Sequence, residues 1–384
     1  MKGSIIFIVL LLVLASHYAA GFSENARYGL GTVSDLVSDG TNMYYFEAEK
    51  EIMSTTWLPD TRIKVDDGKT IRNLSDELFI YPSELKQDRD HLYFAVLSEK
   101  CVGQIICDYQ DLIKISKNDQ SITILAKDLR SAIHISLESD SIYVSESNGK
   151  IWQVGLDDSI GKIWEVSLDD SKRLVTQANE IIMDITSKDG VIYWIEEISD
   201  QNNNILTIDQ GYSPKVIAKN LAIPYDLTVQ NDRLYWNEIY VKTTKGAFAE
   251  FTAIKSYSGD KVETLMEFQN TSPTSKILNE AHYGPYLVFD DYLFLVNNTN
   301  NDSVIHMMNM YNSTKYDIGV ISDYDAKYLR TDGDSLFVIG KNKDGFVIDK
   351  YPIPIKVPEF PTMLLAVMSL SFMSIFILQR FWCN

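Results

Sequence analysis

A short phrase recurs seven times along the chain, and its period limits the fold more than any other feature. A polar turn carrying Asp or Asn is followed by an apolar residue, an aromatic residue and a further apolar one. The copies are DGTNMYYF (Asp39 to Phe46), RDHLYF (Arg89 to Phe94), SDSIYV (Ser139 to Val144), DGVIYW (Asp189 to Trp194), NDRLYW (Asn231 to Trp236), DDYLFL (Asp290 to Leu295) and GDSLFV (Gly333 to Val338). With Tyr44, Tyr93, Tyr143, Tyr193, Tyr235, Phe294 and Phe337 as markers, the spacings are 49, 50, 50, 42, 59 and 43. A strand-like alternation precedes most copies, as in SDLVSDG, AIHISLESD, MDITSKDG, PYDLTVQND and AKYLRTDGD.

A unit of roughly 40 to 50 residues built from about four short antiparallel strands is the pattern of a β-propeller blade. Inner strands of a blade are covered on both faces by neighbouring blades, so they need bulky, β-branched and aromatic residues instead of simple alternation. The Asp or Gly before them supplies the tight turn. The reading is therefore an all-β propeller over residues 24–355. Seven blades follow from the seven phrases, with six as runner-up because DDYLFL follows the longest interval. Its last unit offers three strands before Pro352, Pro354, Pro358 and Pro361 stop further pairing. The segment Ala26 to Val33 is expected to supply the missing outer strand, since an open ring would leave two bare edges. GKIWQVGLDDSI (from Gly149) is repeated at once as GKIWEVSLDDSK (from Gly161), identical at nine of twelve positions, and one copy reads as an added strand or bulged loop. Glu267 to Glu280 reads as a long surface loop.

At Ile223 to Glu238 the phrase resembles the YWTD propeller repeat of lipoprotein-receptor type, with Pro224, Leu227 and Val229 on one strand and Leu234, Tyr235 and Trp236 on the next. Asn237-Glu238 stands where that family has Thr-Asp. The resemblance implies a propeller of this general kind and carries no receptor function.

The two ends indicate a location. Residues 1–21 combine Lys2, an apolar run from Ile5 to Leu14 and the small residues Ala19 and Gly21, which is the layout of a secretory signal peptide; the run is short for an uncleaved anchor. Residues 362–379 are uncharged, about long enough to cross a bilayer, and Arg380 opens a tail at 380–384 that reads as cytoplasmic. Before this span, in the linker 356–361, stand Pro358, Glu359, Phe360 and Pro361. This motif, followed by one apolar helix and a basic residue, resembles the PEF-type C-terminal sorting signal of archaeal surface proteins, which implies anchoring in the membrane or processing there. A stalk from Tyr351 to Pro361 would hold the body within roughly 30 Å of the membrane. The body is thus expected at the cell surface, outside a single-pass anchor.

Five Asn-x-Ser/Thr triplets, at Asn73, Asn270, Asn297, Asn301 and Asn312, suit an exported glycoprotein. Cys101 and Cys107 either close a small loop disulfide in an oxidising exterior or stay as thiols, and Cys383 lies beyond the span. A net charge of −18 argues against nucleic acid as a partner, because phosphate binding needs a basic face. It favours a partner that is neutral, cationic or bridged by divalent ions.

No phosphate loop, HExxH, nucleophile elbow or Cys/His metal spacing occurs. No cofactor or metal is implied beyond Ca²⁺ at acidic pairs such as Asp66-Asp67, Asp157-Asp158, Asp169-Asp170, Glu196-Glu197 and Asp290-Asp291, which read first as solvated turns. Catalytic and ligand-binding residues are not assigned. His91 and His134 read as packing or turn residues, and His282 is the one histidine whose setting invites a test. Two functions fit: a surface module that binds or scaffolds a protein, glycan or envelope component, or a surface enzyme, such as a polysaccharide lyase or hydrolase, with its site in the central tunnel. A clustered His, Arg and carboxylate set with displaced pKa values at the tunnel would favour the enzyme.

Overall fold

The computed structural model describes residues 27–353, apart from gaps of which the longest are 49–59, 102–108, 156–171 and 270–285. The signal peptide, sorting motif, apolar span and tail lie outside the described residues, as do Cys107, Cys383, His282, Asn270, Asn301 and Asn312. Among the described residues no helix is long and apolar enough to cross a membrane, and the one helical piece is the turn Glu99–Cys101.

The strands form seven antiparallel sheets in chain order, six of four strands and one of five. Their innermost strands are Thr32–Ser38, Ser83–Gln87, Ala132–Leu137, Ile181–Lys188, Ile223–Gln230, Tyr286–Phe289 and Asp325–Thr331, numbered here as sheets 1 to 7. Each innermost strand neighbours those of the two adjacent sheets, and the seventh closes on the first. The molecule is an all-β propeller, and its inner strands surround a central channel.

The repeated phrase forms the second strand of each sheet, and its composition follows from its position. Ser141–Glu146 is buried along its whole length and His91–Leu97 nearly so, because neighbouring sheets cover both faces. Between sheets 1 and 2, Phe46 and Phe94 meet edge to face at 5.3 Å. A buried apolar cluster fills each contact between successive sheets, including one that joins sheet 7 to sheet 1 through Phe337, Ile339, Leu36 and Tyr45. A fully buried side chain of this size contributes about 1.5–3 kcal/mol, so the seams between sheets carry most of the stability.

The turn Asp has a defined task. Asp39 Oδ1 accepts the amides of Thr41 and Asn42, Asp88 those of Asp90 and His91, and Asp332 those of Asp334 and Ser335. The phrase Tyr completes the unit, since the hydroxyls of Tyr44 and Tyr93 donate to Asp39 and Asp88 at 3.1 and 2.7 Å. A second device lies three residues after the marker. Glu146, Glu196 and Glu238 accept the amides of Arg130, Glu180 and Ala222, which fixes the backbone just before the inner strands of sheets 3, 4 and 5. Glu196 is therefore a buried cap, while Asp66 and Asp67 bond amides of their own turn.

Closure follows the expected route: Arg27–Leu30 pairs antiparallel with Gly345–Pro352, the last strand of sheet 7. Two boundaries differ from the sequence reading. Tyr351 is buried in that last strand, so no stalk begins there. Glu267 to Gln269 ends the outer strand of sheet 5, Lys261–Gln269. Of the tandem copies, the first supplies the strand Lys150–Gly155; the second lies mostly outside the described residues.

Candidate functional site in the central channel

Six of the seven inner strands break their ladder register at one place: between Val33 and Leu36, Ser83 and Lys86, Ala132 and His134, Ile182 and Asp184, Tyr225 and Thr228, and Ala326 and Tyr328. A bulge re-aims a side chain, and here each accompanies a polar residue that stands just before a buried aliphatic one. These residues are Asp35, Glu84, His134, Asp184, Asp226 and Tyr328. Lys86 and Arg330 follow two positions on in sheets 2 and 7, and Tyr286 comes from sheet 6. Asp35 is 12% exposed and Lys86 and Arg330 38%, while Asp226 and Tyr328 are exposed, so water reaches the group although protein encircles it.

Two of the carboxylates are backbone clamps. Asp35 accepts the amide of Leu36 at 2.8 Å and, across the seam, that of Leu85 at 2.9 Å; Arg330 Nη2 donates to the same carboxylate at 2.7 Å. Asp184 repeats the arrangement three sheets on, accepting the amides of Ile185 at 2.7 Å and Leu227 at 2.6 Å. Glu84 takes the charged side chains instead, with Lys86 Nζ at 3.1 Å and His134 Nδ1 at 3.4 Å; that nitrogen is also 3.6 Å from Asp184.

The electrostatics follow from these partners. Burial would raise the Glu84 carboxyl, yet Lys86 and His134 overcome it and lower it to about 2. Burial works against His134, but its bond to Glu84 and the charge of Asp184 raise its pKa, so the imidazole holds a proton more readily than usual. Lys86 and Arg330 are likewise raised by the surrounding carboxylates against their burial. Asp184 is raised, first by burial. Asp226 is pushed up to about 6, first by burial and then by the charges of Asp184 and Glu84. Tyr286 is raised well above its ordinary value by burial, and its hydroxyl donates to the Asp226 carbonyl.

The ring corrects one expectation: His134 does not serve packing or a turn but bridges two channel carboxylates. His91 does sit at its turn, 3.5 Å from Asp88. Asn73 accepts a hydrogen bond from Lys64 at 2.9 Å. Asn297 lies in the strand Tyr292–Asn298. Cys101 is buried and disulfide-bonded. Among the described residues no group of His, Cys, Asp and Glu is arranged to hold a metal ion. The ring itself had a signal in the sequence. Asp35, Glu84, His134, Asp184, Asp226 and Tyr328 each lie nine residues before the marker aromatic of their sheet.

No protein-family model and no curated protein matches the chain. Solved structures do match. The β-propeller domain of the Trilobed protease from Pyrococcus furiosus, described as having an open velcro topology, is 10% identical with a TM-score of 0.58, covering 84% of this chain and 95% of that one. A chain of the mitotic checkpoint complex is 10% identical with a TM-score of 0.54, covering 87% and 95%. A chain of the nidogen/laminin complex is 15% identical over 69% of this chain, with a TM-score of 0.41. At these identities the first two support the fold alone, and the class established is that of the β-propellers.

Proposed function

We propose that this chain is a cell-surface binding module, exported by residues 1–21 and anchored through residues 362–379, which holds its ligand at the charged ring of the channel. One observation carries the reading. Asp35 and Asp184 are committed to backbone amides and Glu84 to two cations, so the ring is rigid and presents one open carboxyl, Asp226, instead of an acid and a base facing each other. Preorganised polar groups around a concavity are what a small-ligand site requires. The loops around the disc remain a surface for a protein or glycan at the envelope, and the sorting-type tail remains a route to anchoring or processing.

A surface enzyme acting at the same channel is the second reading, favoured by the gathering of His134, Arg330 and carboxylates with displaced pKa values. Both are tested with the full chain in detergent against envelope fractions and polysaccharides. Saturable binding without products, abolished by changes at Asp226 and Arg330, is expected. Steady release of shortened or unsaturated glycan would favour the enzyme. Protease treatment of intact cells should degrade the body, and survival until lysis would contradict surface display.

A further inference from the structure

We propose that the channel is a site for a ligand bearing a protonated primary amine, with Asp226 as its counter-ion; this rests on the reading of the ring as a binding site. The ring contains four carboxylates and three basic groups. Arg330 is paired with Asp35, Lys86 and His134 are paired with Glu84, and Asp184 bonds two amides with His134 nearby. Among the described residues no cationic side chain lies within ion-pair distance of Asp226. The carboxyl is open to the channel and leaves a backbone held at φ 53°, a left-handed conformation that costs energy for a residue other than glycine.

A second observation is independent of charge. Asn237, on the adjacent strand of sheet 5, is 2% exposed and lies beside Asp226, where it favours the ionised carboxylate, yet its Oδ1 has no partner. An unpaired buried acceptor is costly, and a ligand N–H would satisfy it. An ammonium offers three N–H donors, enough for Asp226 and Asn237 together. Two tyrosines neighbour the carboxyl: Tyr286 from sheet 6, whose hydroxyl donates to the Asp226 carbonyl, and Tyr328 from sheet 7, which senses the charges of Asp35 and Asp226. A carboxylate ligand would instead meet the ring's carboxylates, with Arg330 already paired to Asp35 and Lys86 and His134 to Glu84. The net charge of −18 raises the local concentration of cations at the mouth.

The groups facing Asp226 set its pH dependence. Asp184 from sheet 4 and Glu84 from sheet 2 disfavour its charge; Arg330 from sheet 7 and Asn237 from its own sheet favour it. His134 from sheet 3 faces Asp184 and Glu84, and Tyr286 and Tyr328 stay neutral. The ligand needs the ionised carboxylate, so affinity should rise with pH through about 6 and then level off.

The test is calorimetry of the full chain in detergent with n-butylammonium, and with tetramethylammonium, n-butanol and acetate as controls. Binding of n-butylammonium one to one is expected, tightening about tenfold between pH 5 and pH 7 as the ionised fraction rises. At the lower pH about one proton should be released, read from buffers of different ionisation enthalpy. Asp226→Asn should weaken it tenfold or more, with unchanged circular dichroism and melting at pH 4. Equal binding to Asp226→Asn, or no amine binding at 10 mM, would overturn the proposal. Acetate bound instead, and lost in Arg330→Gln, would overturn it while leaving the channel as the ligand site.

Discussion

Glu84 and Asp226 are two carboxyl groups on equivalent inner strands, both at bulges, both with left-handed backbone (φ 57° and 53°), and both facing one channel. One is held at about 2 and the other at about 6. Backbone and burial do not explain the difference, since burial raises both. Glu84 has Lys86 and His134 within reach, whereas Asp226 looks across at Asp184 and Glu84 with the distant Arg330 as its one source of positive charge. A propeller repeats its backbone and varies its side chains, so chemical individuality arises from which sheet faces which.

Removing the charge that is paired should do the most damage. Glu84→Gln leaves Lys86 and His134 facing the remaining carboxylates without their own counter-ion. A buried pair broken in this way costs about 3–5 kcal/mol, and with 27% of the Glu84 side chain open to water the expectation is about 2 kcal/mol in urea unfolding at pH 7. The folded pKa is depressed, so the contribution of Glu84 is full above the ordinary carboxylate range and disappears as the pH falls towards 2. The gap between variant and parent should narrow over that window.

Removing the unpaired charge should act in the other direction. Asp226 is raised in the folded state, so its ionisation penalises folding above about 6 and not below the ordinary value near 4. Asp226→Asn should therefore stabilise the chain at pH 7.5, by about 1 kcal/mol after allowing for water in the channel, and should leave its melting temperature unchanged at pH 4. A loss of stability at pH 7.5 would mean that a cation already serves Asp226.

The smallest effect separates the two groups. Lys86→Met should move the Glu84 titration upward, towards the ordinary carboxylate range, and leave Asp226 near 6, because Lys86 pairs with Glu84 and not with Asp226. If both groups moved together, the ring would behave as one coupled system and the contrast drawn here would fail.

The sequence revealed the strands whose environment is the same in every sheet. Tyr44, Tyr93, Tyr143, Tyr193 and Tyr235 recur because each second strand is covered on both faces, and local pattern suffices to find them. The closing strand at Arg27 was legible for a similar reason, as a ring with a three-stranded last unit has one free edge to fill. The ring residues were not legible because their meaning lies between sheets. Arg330 and Asp35 are 295 positions apart and meet because the ring closes. His134 reads as an ordinary strand residue until Glu84 and Asp184 are placed on either side of it. Their fixed position, nine residues before each marker aromatic, was present in the text. It is visible once the inner strand is aligned by its bulge.

Asp226 is an open, unmatched acid beside a matched one, Glu84. Carboxyl carbon NMR of the full chain, with signals assigned through Asp226→Asn and Glu84→Gln, measures both titrations in one experiment. The expected result is a midpoint of about 6 for Asp226 and about 2 for Glu84, with the Asp226 midpoint falling when n-butylammonium is added. Midpoints within the ordinary carboxylate range for both, unmoved by the amine, would contradict it.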